Sequence, residues 1–283
     1  MIFKTLEGTD DRLILEAFND AFSDYFVPFH LTLGQLQSKI KADHVAPHLS
    51  VGVFENDQLI AFILHGIDTS GNQKVLYNGG TGVIPSRRGQ GLTKRMHDFL
   101  IPSLTEQHID LLTLEVITTN IQAIRSYEKV GYERDRLLAC YKGDVMISLG
   151  NNPIEIKELR EYDWPVLQSF WDIAPTWQNS KRTLNGLKRT NKSLAAYWEG
   201  RCVGYVIYDA SSKRIQQIAV APNFRRRKVA TTLVAALTAT FGNSLSIINV
   251  DKYSPPINSF LQYLGLENYL DQYEMTLKLA HSE

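Results

Sequence analysis

Apolar residues recur along this chain in two rhythms. LSVGVFE, which ends at Glu55, and the LIAFILHGI run beyond it are alternating or continuous apolar stretches parted by Asn56-Asp57, and they predict a β-hairpin. VLYNGGTGVIP predicts a further strand, and behind it Leu92, Met96, Phe99 and Leu100 share one face of a helix. LLTLEVIT then predicts a strand, NIQAIRSYEKV a helix stopped by Gly131, and RLLACYK a last strand. The same series follows again. SLAAYWE, CVGYVIYDA and IQQIAVAP predict strands, Leu233, Leu237 and Phe241 mark a helix, and LSIINV, INSFLQYL and YEMTLKL complete the set. Each series opens with a short strand, IFKTL or IEIKEL, and a helical region rich in aromatic residues.

Two pairs of landmarks align the copies: Pro85 with Pro222, and Gly131-Tyr132 with Gly265-Leu266, the second copy being three residues shorter between them. Copies this long indicate domain duplication, not a solenoid. The Gly150-Asn151-Asn152-Pro153 turn is the best boundary, which gives two mixed α/β domains at 1–149 and 150–283. A length of 283 residues suits two domains.

After the fourth strand of each copy stands a basic turn, VIPSRRGQGLTKR in the first and VAPNFRRRKVATT in the second. A strand that turns through glycines into a helix points several backbone N–H groups at one spot. With the positive end of the helix dipole, that makes an anion site. Glycine lets a phosphate come close and tolerates positive φ. The nucleotide P-loop is excluded, because Gly91 is followed by Leu92-Thr93-Lys94 and not by Lys-Ser/Thr. The dinucleotide fingerprint is excluded too, because Gly80-Thr81-Gly82 runs into Val83-Ile84-Pro85.

The stretch resembles the acetyl-CoA loop of the GNAT superfamily of N-acetyltransferases, written Val-x-Pro and then Arg/Gln-x-x-Gly-x-Gly/Ala. Here the match is Val83, Pro85, Arg88, Gly89, Gly91 and Thr93, with Thr93 replacing the family's last small residue. The family's next signature is matched at Asn120, Ala123, Tyr127, Gly131 and Tyr132. The resemblance covers the first half in full and the second more weakly. It implies two tandem domains, each a mostly antiparallel central sheet flanked by helices. It also implies acetyl-CoA as co-substrate, cradled by Val83, Arg88, Gly89, Gly91, Thr93 and Asn120. Tyr127 would protonate the leaving sulfur, and Glu115, in a Leu-Glu-Val strand like that of ribosomal-protein alanine N-acetyltransferases, would take the amine's proton. The chemistry asks for both groups, since a free amine is mostly protonated at neutral pH and a thiolate must depart. Tyr127 also lies one turn from Ile124 and Ala123, as a core tyrosine does, and Glu115 alternates with Leu114 and Val116, which suits a cleft or solvent.

In the second copy Val220, Pro222, Arg225 and Ala230 keep the loop pattern, but Arg226 and Lys228 stand where Gly89 and Gly91 do. Asn249 takes the place of Glu115, Ser254 that of Asn120 and Leu261 that of Tyr127. The expectation is therefore a catalytic first domain and a degenerate second one that braces it.

Composition narrows the rest. Lys plus Arg and Asp plus Glu both total 30, so no net field favours nucleic acid or an anionic membrane. Two cysteines, no apolar leader in MIFKTLEGTDD and no run of about 20 apolar residues lead to the expectation of a cytoplasmic protein. His44 and His48 have helical spacing, but Pro47 lies between them and no third ligand is evident, so no metal is expected. Phe18, Phe22, Tyr25, Phe26 and Phe29 either border an acceptor pocket or fill a core. The acceptor amine, small molecule or peptide, and the oligomeric state stay open. A non-catalytic acyl-CoA-binding protein is the alternative reading.

Overall fold

The computed structural model of the chain describes residues 1–24, 30–70, 72–147 and 153–280. Tyr25, Phe26, Phe29 and positions 150–152 of the expected boundary turn lie outside the described residues. The architecture is mixed α/β and consists of two compact units, Met1–Asp135 with Tyr273–Glu283, and Arg136–Gln272.

In unit 1 the strands are β1 (Ile2–Thr5), β2 (Val51–Glu55), β3 (Gln58–Ser70), β4 (Gln73–Val83) and β5 (Leu111–Ile117). They stand side by side in that order and pair antiparallel, except that β4 and β5 are parallel. β3 is apolar on both faces because helices cover both. Its Leu59, Phe62 and Leu64 pack with Phe18 of α1 (Asp11–Ala21) and Leu36 of α2 (Leu33–Ala42). Its Ile60 and Ile63 lie in the other layer, with Met96 and Leu100 of α3 (Leu92–Glu106) and Ile124 of α4 (Ile121–Glu128). Caps fix the helix starts: Asp10 accepts from the Arg12 amide at 2.8 Å, and Thr32 and Gln35 form a capping box. Phe18 is thus core, and Phe22 packs against the same cluster.

Unit 2 repeats the plan with β7 (Glu155–Glu158), α5 (Trp164–Gln168), α6 (Lys181–Gly186), β8 (Lys192–Trp198), β9 (Arg201–Asp209), β10 (Arg214–Val220), α7 (Val229–Phe241), β11 (Ser244–Asp251) and α8 (Pro255–Tyr263). Only β10 and β11 are parallel among its registered pairs. Leu233, Val234 and Leu237 of α7 are fully buried against the sheet.

The units differ from a cut at 149/150 through two strands. β6 (Glu133–Asp144), which contains RLLACYK, pairs with β11 of unit 2 from Leu138↔Asp251 to Asp144↔Ser244. β12 (Glu267–Lys278) contains YEMTLKL, and from Tyr273 onward it belongs to unit 1, beside β5. Each unit is closed by the strand expected of the other half. Ladder pairing is made by backbone groups, and both strands offer a similar alternation, so the sequence pattern does not choose between the two sheets.

Candidate active site

In each unit the two parallel strands fork. β4 and β5 are in register only from Val75↔Leu111 to Tyr77↔Thr113, although β4 runs on to Val83 and β5 to Ile117. β10 and β11 part after Ile215↔Ile247. A bulge sits just past each fork. The β3–β4 register skips Gly79, and the β9–β10 register skips Gln216, six residues before Pro85 and Pro222 respectively. A Cβ on Gly79 would fall 2.9 Å from Asp43 Oδ2, so this bulge is built around glycine.

Beyond the fork comes the basic turn, and here the two copies have the same backbone. Gly89 and Gly91 have φ of 77° and 67°, and Arg226 and Lys228 have 62° and 64°. In unit 1 the amides from Gly89 to Lys94 make no backbone hydrogen bond among the described residues, and in unit 2 the same holds from Arg226 to Thr231. Each turn therefore offers a run of unpaired donors at a helix N-terminus, an arrangement that binds anions.

Arg88 and Arg225 are committed elsewhere. Arg88 donates to Val83 O at 3.2 Å and Ala21 O at 2.9 Å, and grips the Asp24 carboxylate with both terminal nitrogens at 2.6 and 2.7 Å. That hydrogen bond holds the exposed Asp24 carboxyl below its usual value. Arg225 repeats the clamp on Val220 O, Phe170 O and Asp172. In both copies the arginine ties the turn to the end of the preceding strand and to the helical region. Of the other residues expected in the cradle, Val83 is half-buried at the end of β4, and Thr93 lies in the first turn of α3. Asn120 caps α4 by accepting from the Ala123 amide at 3.1 Å.

The two expected catalytic side chains lie on opposite faces of the forked sheet. Leu112, Leu114 and Val116 face the α3–α4 layer, so Glu115 faces the other way. There the Tyr77 hydroxyl donates to its Oε2 at 2.6 Å. Gly79 sits between the Tyr77 ring and Asp43, whose carboxylate is 2.6 Å from Lys39 Nζ. Tyr127 is 8% exposed in the α3–α4 layer, with its ring edge-on to Tyr132 at 5.6 Å. The Tyr132 hydroxyl is 3.4 Å from His97 Nε2, and burial pushes that phenol well above its ordinary value. His65 lies 6.4 Å beyond His97, ring to ring. Sequence reasoning did not find Tyr77, Asp43, His65 or His97. Tyr77 was visible only as one residue of an apolar run, and its pairing with Glu115 depends on a parallel register that a single sequence does not state.

In unit 2 Asn249 has φ of 61°, is buried, donates to Thr176 Oγ1 at 3.0 Å and accepts from Gln272 at 2.8 Å. Leu261 is fully buried, and Ser254 leads α8 without capping it. The fork of this unit nevertheless opens a cavity of about 540 Å³, lined by β10, β11, the basic turn and α8.

A forked parallel pair, a bulge just past the fork and a turn of unpaired amides at a helix N-terminus thus recur in both units. The chain belongs to the acetyltransferase (GNAT) family, whose model matches residues 14–132 and again 156–259. Members of that family are acyltransferases. Its fold is shared by a tandem GNAT protein from the clavulanic acid biosynthesis pathway (TM-score 0.71, 13% identity, 100% of this chain and 99% of that one). It is also shared by a GCN5-related N-acetyltransferase from Sphaerobacter thermophilus (TM-score 0.73, 13% identity, 100% and 96% covered). A third such protein, from Anabaena variabilis, has a TM-score of 0.64 at 13% identity, with 99% and 73% covered. Among curated proteins none matches. No helix among the described residues is long and apolar enough to cross a membrane.

Proposed function

We propose that unit 1 transfers an acetyl group from acetyl-CoA directly to the amine of a small molecule or peptide. The observation that carries this reading is the hydrogen bond of Tyr77 to Glu115 across the forked pair β4–β5, with β4 leading into the unpaired amides of Gly89 to Lys94 and β5 into the helix that bears Tyr127. Those amides hold the pyrophosphate, and Arg88 keeps the turn in shape. Glu115 removes a proton from the acceptor ammonium, and the neutral nitrogen attacks the thioester carbonyl. The C–N bond forms, the C–S bond breaks, the Tyr127 hydroxyl supplies the proton to the departing sulfur, and the second proton that the nitrogen sheds in becoming an amide restores the phenol, directly or through solvent. Tyr77 is a positioning residue, since its hydrogen bond orients the Glu115 carboxylate.

The test is acetyl-CoA-dependent acetylation across a panel of chemically diverse amines, followed by variants on the best acceptor. Tyr127→Phe is expected to keep acetyl-CoA binding and lose about a hundredfold or more in kcat. Tyr77→Phe should lower kcat about tenfold with KM for acetyl-CoA unchanged, as loss of a hydrogen bond to a charged group would. Full turnover in Tyr127→Phe would remove its acid role. Tight acetyl-CoA binding with no amine ever acetylated would instead favour the non-catalytic reading.

A further inference from the structure

The helix that bears Tyr127 ends directly behind it. The Tyr127 carbonyl accepts from the amides of Val130, Gly131 and Tyr132 at 3.0, 3.2 and 3.1 Å, and Gly131 turns the chain at a φ of 111°. In such a glycine-ended terminus the residue after the glycine packs on the one whose carbonyl it caps. Here those two residues are Tyr132 and Tyr127, whose rings stand edge-on at 5.6 Å. Any apolar side chain at position 132 would make that contact. The Tyr132 hydroxyl makes a further one: the residue is 2% exposed, and its hydrogen bond goes to His97 Nε2, 3.4 Å away.

His97 is itself fixed from two sides. Its Nδ1 lies 2.9 Å from Thr93 O, one turn back in α3, which places the proton on Nδ1 and leaves Nε2 to accept. The Tyr132 ring stands edge-on to the imidazole at 5.6 Å and 84°. Burial disfavours charge on both, so the imidazole is neutral, the phenol keeps its proton, and the pair acts by position alone. The four residues Thr93, His97, Tyr132 and Tyr127 thus form a strut. It joins the first turn of α3, where the unpaired amides stand, to the end of the eight-residue α4.

Unit 2 shows that packing does not require the polar pair. Counted from the same landmarks, Val234 stands in the place of His97, Leu266 in that of Tyr132 and Leu261 in that of Tyr127. All three are 2% exposed or less and belong to one core cluster. The same corner of the fold is therefore built there from aliphatic side chains. Replacing both members of a buried hydrogen-bonded pair by apolar groups is often neutral or stabilising. The imidazole and the hydroxyl thus serve something other than the stability of unit 1, and they stand in the copy whose α4 carries a tyrosine.

We propose that His97 and Tyr132 are positioning residues for Tyr127, holding its ring in fixed relation to the turn at the start of α3. This rests on the acid role given to Tyr127 above and adds two residues to it. A group that delivers a proton in the transition state must be placed closely against the bond that breaks, and small displacements of it are costly. Anchoring the phenol to the same helix start that holds the cofactor meets that requirement.

The test copies unit 2. His97→Leu combined with Tyr132→Phe removes both polar atoms and keeps a ring against Tyr127, so this double variant should fold with a urea midpoint no lower than that of the natural chain. Each single replacement strands a buried partner and costs stability, so the double variant carries the test. Its kcat on the best acceptor should fall about fivefold, with KM for acetyl-CoA unchanged. In a Tyr127→Phe background the same double replacement should leave the residual kcat as it was, because no phenol remains to be positioned. The proposal falls if the double variant fails to fold, if it turns over as fast as the natural chain, or if KM for acetyl-CoA rises in place of the loss in kcat. It falls too if the double replacement costs as much again in the Tyr127→Phe background. Full turnover in Tyr127→Phe alone, or no amine acetylated at all, overturns the acid role and this inference with it. A slow Tyr127→Phe beside a fully active double variant overturns this inference alone.

Discussion

His65 shows how much of unit 1 rests on single protonation states. Its side chain is fully buried, Nδ1 lies 2.9 Å from Leu49 O, and Nε2 has no partner. The carbonyl requires the proton on Nδ1, so the ring is neutral with a bare Nε2. A second proton would place a charge in an apolar layer near His97. Burial, and then His97, push His65 down to about 3, and burial lowers His97 as well. The native values lie below that of an unfolded histidine, so the unfolded chain binds more protons between about pH 6.5 and about pH 3. The stabilisation is thus complete above about pH 6.5 and drains away as the pH falls towards 3, at up to about 1.4 kcal/mol per pH unit for His65. Urea unfolding at pH 7, 6 and 5 should show this decline for the transition of unit 1, and His65→Gln should flatten it. An equal slope in the variant would remove His65 as the cause.

At the scale of the element, the paired turns show that backbone shape outlasts the residues that make it easy. Glycine reaches positive φ without penalty, whereas a left-handed conformation costs an L-residue about 1–2 kcal/mol. Unit 2 accepts that penalty at both Arg226 and Lys228. The clamp of Arg225 on Val220, Phe170 and Asp172 is positioned to hold the turn against it, as Arg88 holds the turn of unit 1. Nothing lies within 4 Å of a Cβ added at Gly91, so Gly91→Ala should fold and lose only the conformational penalty, about 1 kcal/mol. Lys228→Gly should move the other way by less than about 1 kcal/mol, because glycine's freedom in the unfolded chain offsets part of the relief. Denaturation midpoints of the two variants check this, and a shift of the same sign in both would contradict the shared conformation.

At the scale of the whole molecule, what could be read beforehand was what repeats locally. The duplication, the order of strands and helices within each copy, the matched turns and the placing of Glu115 and Tyr127 on a strand and the helix after it all follow from periodicity and spacing. What escaped depends on distant parts of the chain meeting: the Tyr77–Glu115 hydrogen bond, the His65–His97–Tyr132 series, and above all the exchange of last strands. That exchange has a consequence for cutting the chain. A fragment ending at residue 149 keeps β6, whose Ala139 and Tyr141 belong to the core of unit 2, and loses the strand that carries Met275. Met275 is fully buried in unit 1, and Tyr273, Leu277 and Leu279 pack on the same core. Truncating one buried side chain of that size costs about 2–5 kcal/mol, a large share of a domain's stability, and here a whole strand goes. Residues 1–149 alone should therefore show no cooperative urea transition near that of the full chain. Residues 1–135 joined to 273–280 by a flexible linker of about ten residues should recover one, since every strand of unit 1 is then present. If 1–149 unfolds at the full-chain midpoint, β6 can close unit 1 as well as β12 does, and the exchanged strand is not what holds that unit together.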